Sequence, residues 1–336
     1  MSRQRNKKEK LLELKNVTTS FDTDDGKVTA IEDISFELRQ GETLGILGES
    51  GCGKSVTSLS IMRLLPDGVG YVENGDIFFQ GENLLDLKED KMRSYRGNKM
   101  SMIFQEPMTS LNPVFKVKKQ LVEVYTTHQD VNNKEAYNKA LEILDIVGIP
   151  DSKSVIEKYP YELSGGMRQR VMIAMALACQ PALLIADEPT TALDVTIQAQ
   201  ILKLMNELKQ KINSSIMLIT HDLGVIAQMV ERVLVFYAGQ IVERAQIDDL
   251  YENPKHPYTK GLINSIPRIG NKNRRLDTIQ GMVPSPFEFP QGCRFHPRCE
   301  HVMDICKEKE PPEVDVGDRH SAKCWLHVDE GGENNE

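Results

Sequence analysis

One octapeptide restricts the possible folds of this chain more than any other stretch. Gly48-Glu49-Ser50-Gly51-Cys52-Gly53-Lys54-Ser55 matches G-x-x-x-x-G-K-[ST] in full. The apolar run TLGILG (Thr43–Gly48) before it reads as a buried parallel strand. SVTSLSIMRLL (Ser55–Leu65) after it has helical spacing and stops at Pro66-Asp67-Gly68. Strand, glycine-rich turn and helix open an α/β fold. The glycines let backbone N–H groups curl round a β-phosphate, and the helix N-terminus adds positive potential. Lys54 is expected to reach the β- and γ-phosphates, and the Ser55 hydroxyl to hold Mg²⁺.

Such a loop needs a second carboxylate for the metal at the end of another buried strand. ALLIAD (Ala182–Asp187) supplies it: Asp187 is expected to hold Mg²⁺ through water, and Glu188 to act as general base on an attacking water. SIMLIT (Ser215–Thr220) and RVLVFYAGQIV (Arg232–Val242) give further strand signals, with the helix-like IQAQILKLMNELKQK (Ile197–Lys211) ahead of them. This alternation predicts a mostly parallel sheet covered on both faces. LLELKNVTTSF and VTAIEDISFEL read as an antiparallel strand pair turned at Asp24-Asp25-Gly26. From about Leu87 to Ser164 the patterns are helical, as in KEAYNKALEILDIVGI (Lys134–Ile149).

Composition narrows the classes. The 336 residues carry 41 Lys+Arg against 49 Asp+Glu, a net charge of −8, and 40% apolar residues, the balance of a globular protein. The acidity argues against nucleic acid as the main partner. The most apolar stretch, Val171–Ala186, is broken by Gln180 and Pro181, short of the ~20 residues a spanning helix needs. The basic start MSRQRNKKEK lacks an apolar signal core, so a cytosolic chain is expected. Nine of the 16 prolines fall after Tyr251, which predicts a loop-rich appendage. The organisation expected is an ATPase domain over 11–250 with a helical subdomain at about 88–164, an extension over 251–328, and flexible tails at 1–10 and 329–336.

Leu163-Ser164-Gly165-Gly166-Met167-Arg168-Gln169-Arg170 is a second anion-binding helix start, with free N–H groups and a hydroxyl. One triphosphate does not need two cradles from one subunit; two head-to-tail subunits do. LSGG together with the phosphate loop resembles the ATP-binding cassette ATPases of ABC transporters. The resemblance implies a P-loop NTPase cassette: a mostly parallel sheet, an antiparallel β subdomain and a helical subdomain, here with a loop-rich C-terminal extension. It also implies roles for further residues. Phe21 stacks on adenine. Gln105 in MIFQEP senses Mg²⁺ and the γ-phosphate. Thr191-Ala192-Leu193-Asp194 resembles the D-loop, with Asp194 crossing the dimer interface and Thr191 a mild departure. His221 matches the switch histidine at the γ-phosphate. The implied cycle is ATP-driven closure of a cassette dimer, hydrolysis, and reopening.

Gln105-Glu106-Pro107-Met108-Thr109-Ser110-Leu111-Asn112-Pro113 is similar to a stretch of peptide- and nickel-importer cassettes. Asn253-Pro254-Lys255-His256-Pro257-Tyr258-Thr259, with GMVPSPFEFPQGCRFHPRC after it, resembles the C-terminal region of D-subunit-type dipeptide/oligopeptide importer ATPases. The resemblance implies a peripheral subunit on the cytoplasmic face of the cell membrane. Its partners would be a second, F-type cassette in a heterodimer, two permeases and an external solute-binding protein. Nickel or another small solute is the nearest alternative cargo; a soluble ABC ATPase outside transport is the rival of another class.

Cys293, Cys299, Cys306 and Cys324 crowd into the last 44 residues of the sequence. In a reducing compartment the cluster suggests a metal site rather than disulfides. The spacing fits neither zinc ribbons nor ferredoxin runs. His296, His301, His320 and His327 lie near enough in sequence for mixed Cys/His zinc, and buried reduced thiols are the other reading. The family resemblance implies a structural [4Fe-4S] cluster on the four cysteines, ranked ahead of zinc.

Overall fold

The computed structural model describes residues 9–104, 111–190, 194–266 and 279–328. Its strands are β1 (Lys10–Thr23), β2 (Gly26–Arg39), β3 (Thr43–Leu47), β4 (Gly70–Phe79), β5 (Glu82–Asn83), β6 (Met100–Ile103), β7 (Leu183–Asp187), β8 (Ser215–Thr220), β9 (Arg232–Tyr237), β10 (Gln240–Gln246), β11 (Glu313–Gly317) and β12 (His320–Lys323). Its helices are α1 (Lys54–Met62), α2 (Glu89–Tyr95), α3 (Val117–His128), α4 (Asn133–Ile146), α5 (Ser152–Val155), α6 (Gly165–Leu177), α7 (Val195–Ile212), α8 (Leu223–Met229), α9 (Ile247–Glu252), α10 (Pro257–Asn264) and α11 (Asp304–Glu308). These fall into two compact units.

The first unit takes the described parts of Met1–Glu13, Glu37–Thr43 and Phe78–Ile219. Its sheet core is β6-β7-β8, all parallel, with Met100 opposite Leu183 and Asp187 opposite Ile219. Every residue of β7 and β8 is buried, which explains their unbroken apolar runs. Helices α3, α4 and α6 pack on one another. Helix α4 starts on a capping box: Asn132 Oδ1 accepts from the N–H groups of Lys134 and Glu135, and Glu135 reaches back to the Asn132 N–H. Although the segment before Ser164 reads as helical, it contains β6, four residues too short for a period to show.

The second unit takes Leu14–Phe36, Leu44–Ile77 and the described part of Thr220–Glu336. It has strands in the order β11-β12-β10-β9-β3, in which β3 and β9 are parallel and the other pairs antiparallel. RVLVFYAGQIV is a hairpin rather than one strand. Ala238 and Gly239 have φ of 46° and 80°, the paired left-handed values of a tight two-residue turn. Helix α1 stops three residues before the sequence reading because Arg63 turns left-handed at φ 50°. The Pro-rich extension is not all loop: β11 and β12 continue the sheet from β10.

Glu243, 1% exposed on β10, ties the extension down. Its carboxylate accepts from the Lys255 N–H at 2.7 Å and the His256 N–H at 2.9 Å. Its Oε1 lies 2.7 Å from His320 Nε2. Burial opposes the charge, but these hydrogen bonds hold the Glu243 carboxyl below the usual carboxylate range. Behind it, Phe295 packs on Tyr237, Tyr258 and His256 with ring centres 5.1, 5.5 and 5.5 Å apart.

Candidate nucleotide site

In the second unit, the loop leaves buried β3 and enters α1. Its glycines are there for space and dihedral together. Gly48 approaches Phe236 so closely that a Cβ would lie 2.4 Å from the Phe236 carbonyl oxygen. Gly53 has φ 100°, and a Cβ there would lie 2.6 Å from Ile31 Cγ2. Lys54 is buried, and its ammonium donates to the carbonyls of Gly48 at 2.8 Å and Glu49 at 2.9 Å. This is a loop curled around a cation, with the open α1 N-terminus beside it: the geometry that a β/γ-phosphate requires. Ser55 is half-buried on the first turn of α1, and Ser50 precedes Gly51, whose Cβ position is open.

Cys52 has 0% exposure, and burial pushes its thiol up to about 11. It is a packed, protonated side chain rather than an oxidation site. Phe21 on β1 is half-buried against Gly70, where a Cβ would come within 2.8 Å of the Phe21 ring. His221 follows β8 and is exposed.

In the first unit, Asp187 ends β7 at 3% exposure. A carboxylate that deep in a sheet suits a cation ligand. Glu188 takes φ 46°, a left-handed conformation costing roughly 1–2 kcal/mol, with its N–H held by the Ile219 carbonyl at 2.9 Å. Strain of that kind collects at functional positions. Ser164 caps α6, its Oγ accepting from the Met167 N–H at 3.4 Å. Gly165 and Gly166 form the first helical positions, and a Cβ on Gly166 would press on Ile197 Cγ2 at 3.1 Å. Asp194 caps α7, its Oδ1 accepting from Thr196 and Ile197 at 3.1 and 3.0 Å. Gln105 and Thr191-Ala192-Leu193 lie outside the described residues.

The expected [4Fe-4S] cluster and its zinc alternative are corrected by the structure. All four cysteines are free thiols. Among the described residues no group of three or more His, Cys, Asp or Glu is placed to hold a metal ion. Burial raises the thiols of Cys293 (to about 11), Cys299 and Cys324. Cys306 and Cys324 are 8% exposed and fill space. Tyr258, Arg294 and Arg298 lie inside the motifs of the extension, which mark none of them as a site residue, and all three reach back into the cassette. Arg294 Nη1 donates to the Ala238 carbonyl, at 2.5 Å, and pairs with Glu32. Their motifs give no sign of these contacts; the fold alone brings Tyr258 and Arg298 to Glu49.

A strand-fed phosphate loop on a sheet with helices defines a P-loop nucleotide-binding protein, and solved structures specify the class. A dimeric ATP-binding cassette, MJ0796, described in a post-hydrolysis state with ADP and phosphate, matches with TM-score 0.64 and 26% identity over 70% of this chain and 99% of that one. The sequence matches the family described as ABC transporter over residues 31–191, and that described as oligopeptide/dipeptide transporter, C-terminal region, over 242–306. The oligopeptide transport ATP-binding protein AppD of Bacillus subtilis is 49% identical over 96% of this chain and 98% of its own length. In the same organism the dipeptide transport ATP-binding protein DppD is 49% identical over 95% of both chains. The chain belongs to the peptide-transport ATP-binding subunits of the ABC transporter family.

Proposed function

We propose that this chain hydrolyses ATP to energise uptake of dipeptides or oligopeptides through a membrane ABC importer. The observation that carries the reading is a phosphate loop of the required geometry in a chain about half identical, end to end, to peptide-transport ATP-binding proteins. Among the described residues no helix is long and apolar enough to cross a membrane. The translocation path then belongs to two permease subunits, and this chain docks on them from the cytoplasmic face. A second cassette, in a heterodimer, and an external solute-binding protein complete the assembly. The ATPase domain is assigned to 11–250, with its helical part at about 88–164, and the transporter extension to 251–328.

Each site residue has a physical task. The backbone of Gly48–Ser55 and the Lys54 ammonium bind the phosphates and spread their charge. Phe21 offers a ring face to the base. Ser55, Asp187 and Gln105 are the side chains that would hold Mg²⁺, which supplies charge neutralisation on the β- and γ-oxygens. Glu188 takes the proton of the attacking water, and His221 donates to the γ-phosphate oxygens. Ser164, Gly165 and Gly166, with Asp194, serve the site of the second cassette.

Glu188→Gln tests this. Phosphate release should fall at least about a hundredfold while ATP still binds, since the base is lost and the cradle kept. Turnover at the wild-type rate in that variant would overturn the assignment.

A further inference from the structure

All three polar groups of Glu49, the second residue of the phosphate loop, are held. Its carboxylate receives two hydrogen bonds from Arg298, Nη1 to Oε2 at 2.7 Å and Nη2 to Oε1 at 3.2 Å. Its N–H donates to the Tyr258 hydroxyl at 2.9 Å. Its carbonyl accepts from Lys54 at 2.9 Å. Arg298 and Tyr258 both come from the extension, and neither is a surface group: the Arg298 side chain is 4% exposed and Tyr258 is 0%. Each is fixed from behind. Arg298 Nε donates to the Gln280 carbonyl at 2.9 Å. The Tyr258 ring packs 4.7 Å from Tyr237 and 5.5 Å from Phe295.

We propose that Arg298 and Tyr258 are positioning residues through which the extension sets the shape of the phosphate loop and hence its affinity for ATP. A two-point bond from a planar guanidinium fixes direction as well as distance. The Tyr258 bond fixes the plane of the peptide preceding Glu49. When a triphosphate draws Lys54 off the Gly48 and Glu49 carbonyls, these two holds keep the loop curled. Without them the ligand must order the loop itself, and that ordering is taken out of the binding free energy. The chemical step does not depend on them, so KM should move and kcat should not. The inference rests on the cradle reading proposed above.

The test uses the full-length chain, Mg²⁺ and a fluorescent ATP analogue, with Lys54→Ala as reference. Arg298→Ala and Glu49→Gln should each raise Kd about tenfold. The double variant should be no weaker than either alone, because both break the same two-point contact. Arg298→Lys, with charge but no fork, should fall between, and Tyr258→Phe should raise Kd about threefold. For Arg298→Ala the KM for ATP in phosphate release should rise by the same factor, with kcat within about twofold. Glu49→Gln changes a loop residue whose side chain is 34% exposed, so it decides the matter if Arg298→Ala does not fold. Additive losses in the double variant, or Glu49→Gln binding within twofold of the wild type, overturn the proposal. If Lys54→Ala binds normally the cradle reading itself fails; if Lys54→Ala loses binding while Glu49→Gln keeps it, only the positioning role fails.

Discussion

The phosphate loop and the cysteine-bearing extension belong to one compact unit but keep their shapes by different means. The loop is shaped first by close main-chain approach, with the Arg298 and Tyr258 side chains holding it from outside: Gly48 lies against the Phe236 carbonyl, Gly53 sits at φ 100° beside Ile31, and the Gly239 N–H meets the Cys52 carbonyl at 3.0 Å. The extension is shaped by side chains: buried Glu243 with His320, the Phe295 aromatic cluster, and Arg294 and Arg298 reaching into the cassette. At Gly48 and Gly53 the loop has no slack for an added carbon. A segment held by side chains tolerates exchange at filler positions but depends on the charge state of its few buried anchors.

The sharpest way to break this contrast is Gly53→Ala. The added methyl meets Ile31 Cγ2 at 2.6 Å in a conformation alanine rarely takes, so ATP affinity should fall at least about a hundredfold. Gly51→Ala has nothing within 4 Å and should cost only the strain of φ 81°, about 1–2 kcal/mol and no more than about thirtyfold in affinity. Equal losses in titrations of the two variants would mean that dihedral, not space, governs the loop.

Acid probes the side-chain region. Burial lowers the His256 pKa from 6.5 to about 4, and its Nδ1 accepts from the Tyr258 N–H at 3.1 Å. The unfolded chain protonates this ring near 6.5 and the folded one only near 4. Its contribution to stability is therefore full above pH 6.5 and lost as pH falls towards 4, at about 1.4 kcal/mol per unit. Glu243, held low in the fold, adds loss in the same direction as acid protonates the unfolded carboxyl. Urea midpoints between pH 7 and 4.5 should fall accordingly, and His256→Asn should flatten the upper part of the curve. A curve unchanged by that variant would remove His256 from the anchors.

The smallest effect is expected at the cysteines. Cys306→Ser places a hydroxyl where a thiol fills space at 8% exposure, costing about 1–2 kcal/mol in chemical denaturation. Cys179→Ser, half-buried against Gln129, should cost less than about 1 kcal/mol. Collapse of the whole extension in Cys306→Ser would show that the thiol does more than pack.

What could be read from the sequence follows the same division. The phosphate loop, β3, β7, β8 and α7 were legible because their patterns encode backbone geometry or unbroken burial. The two-strand split at Ala238-Gly239 was not, since only the left-handed φ at an alanine distinguishes a turn from a continuing apolar run. Strand β6 was too short to show a period. The cysteine spacing carried composition without geometry, and the cluster implied by the family resemblance is not matched by any ligand grouping among the described residues. Arg298 and Tyr258 lie 249 and 209 residues from Glu49, a distance over which no local pattern can speak.

That separation has a consequence in time. During synthesis the octapeptide emerges before the extension, and its second residue lacks two of its three holds until Tyr258 and then Arg298 have left the ribosome. The nascent chain therefore carries the letters of a nucleotide site long before it carries the finished cradle. On the positioning role proposed for these two residues, full affinity for ATP waits until the extension has folded against the loop.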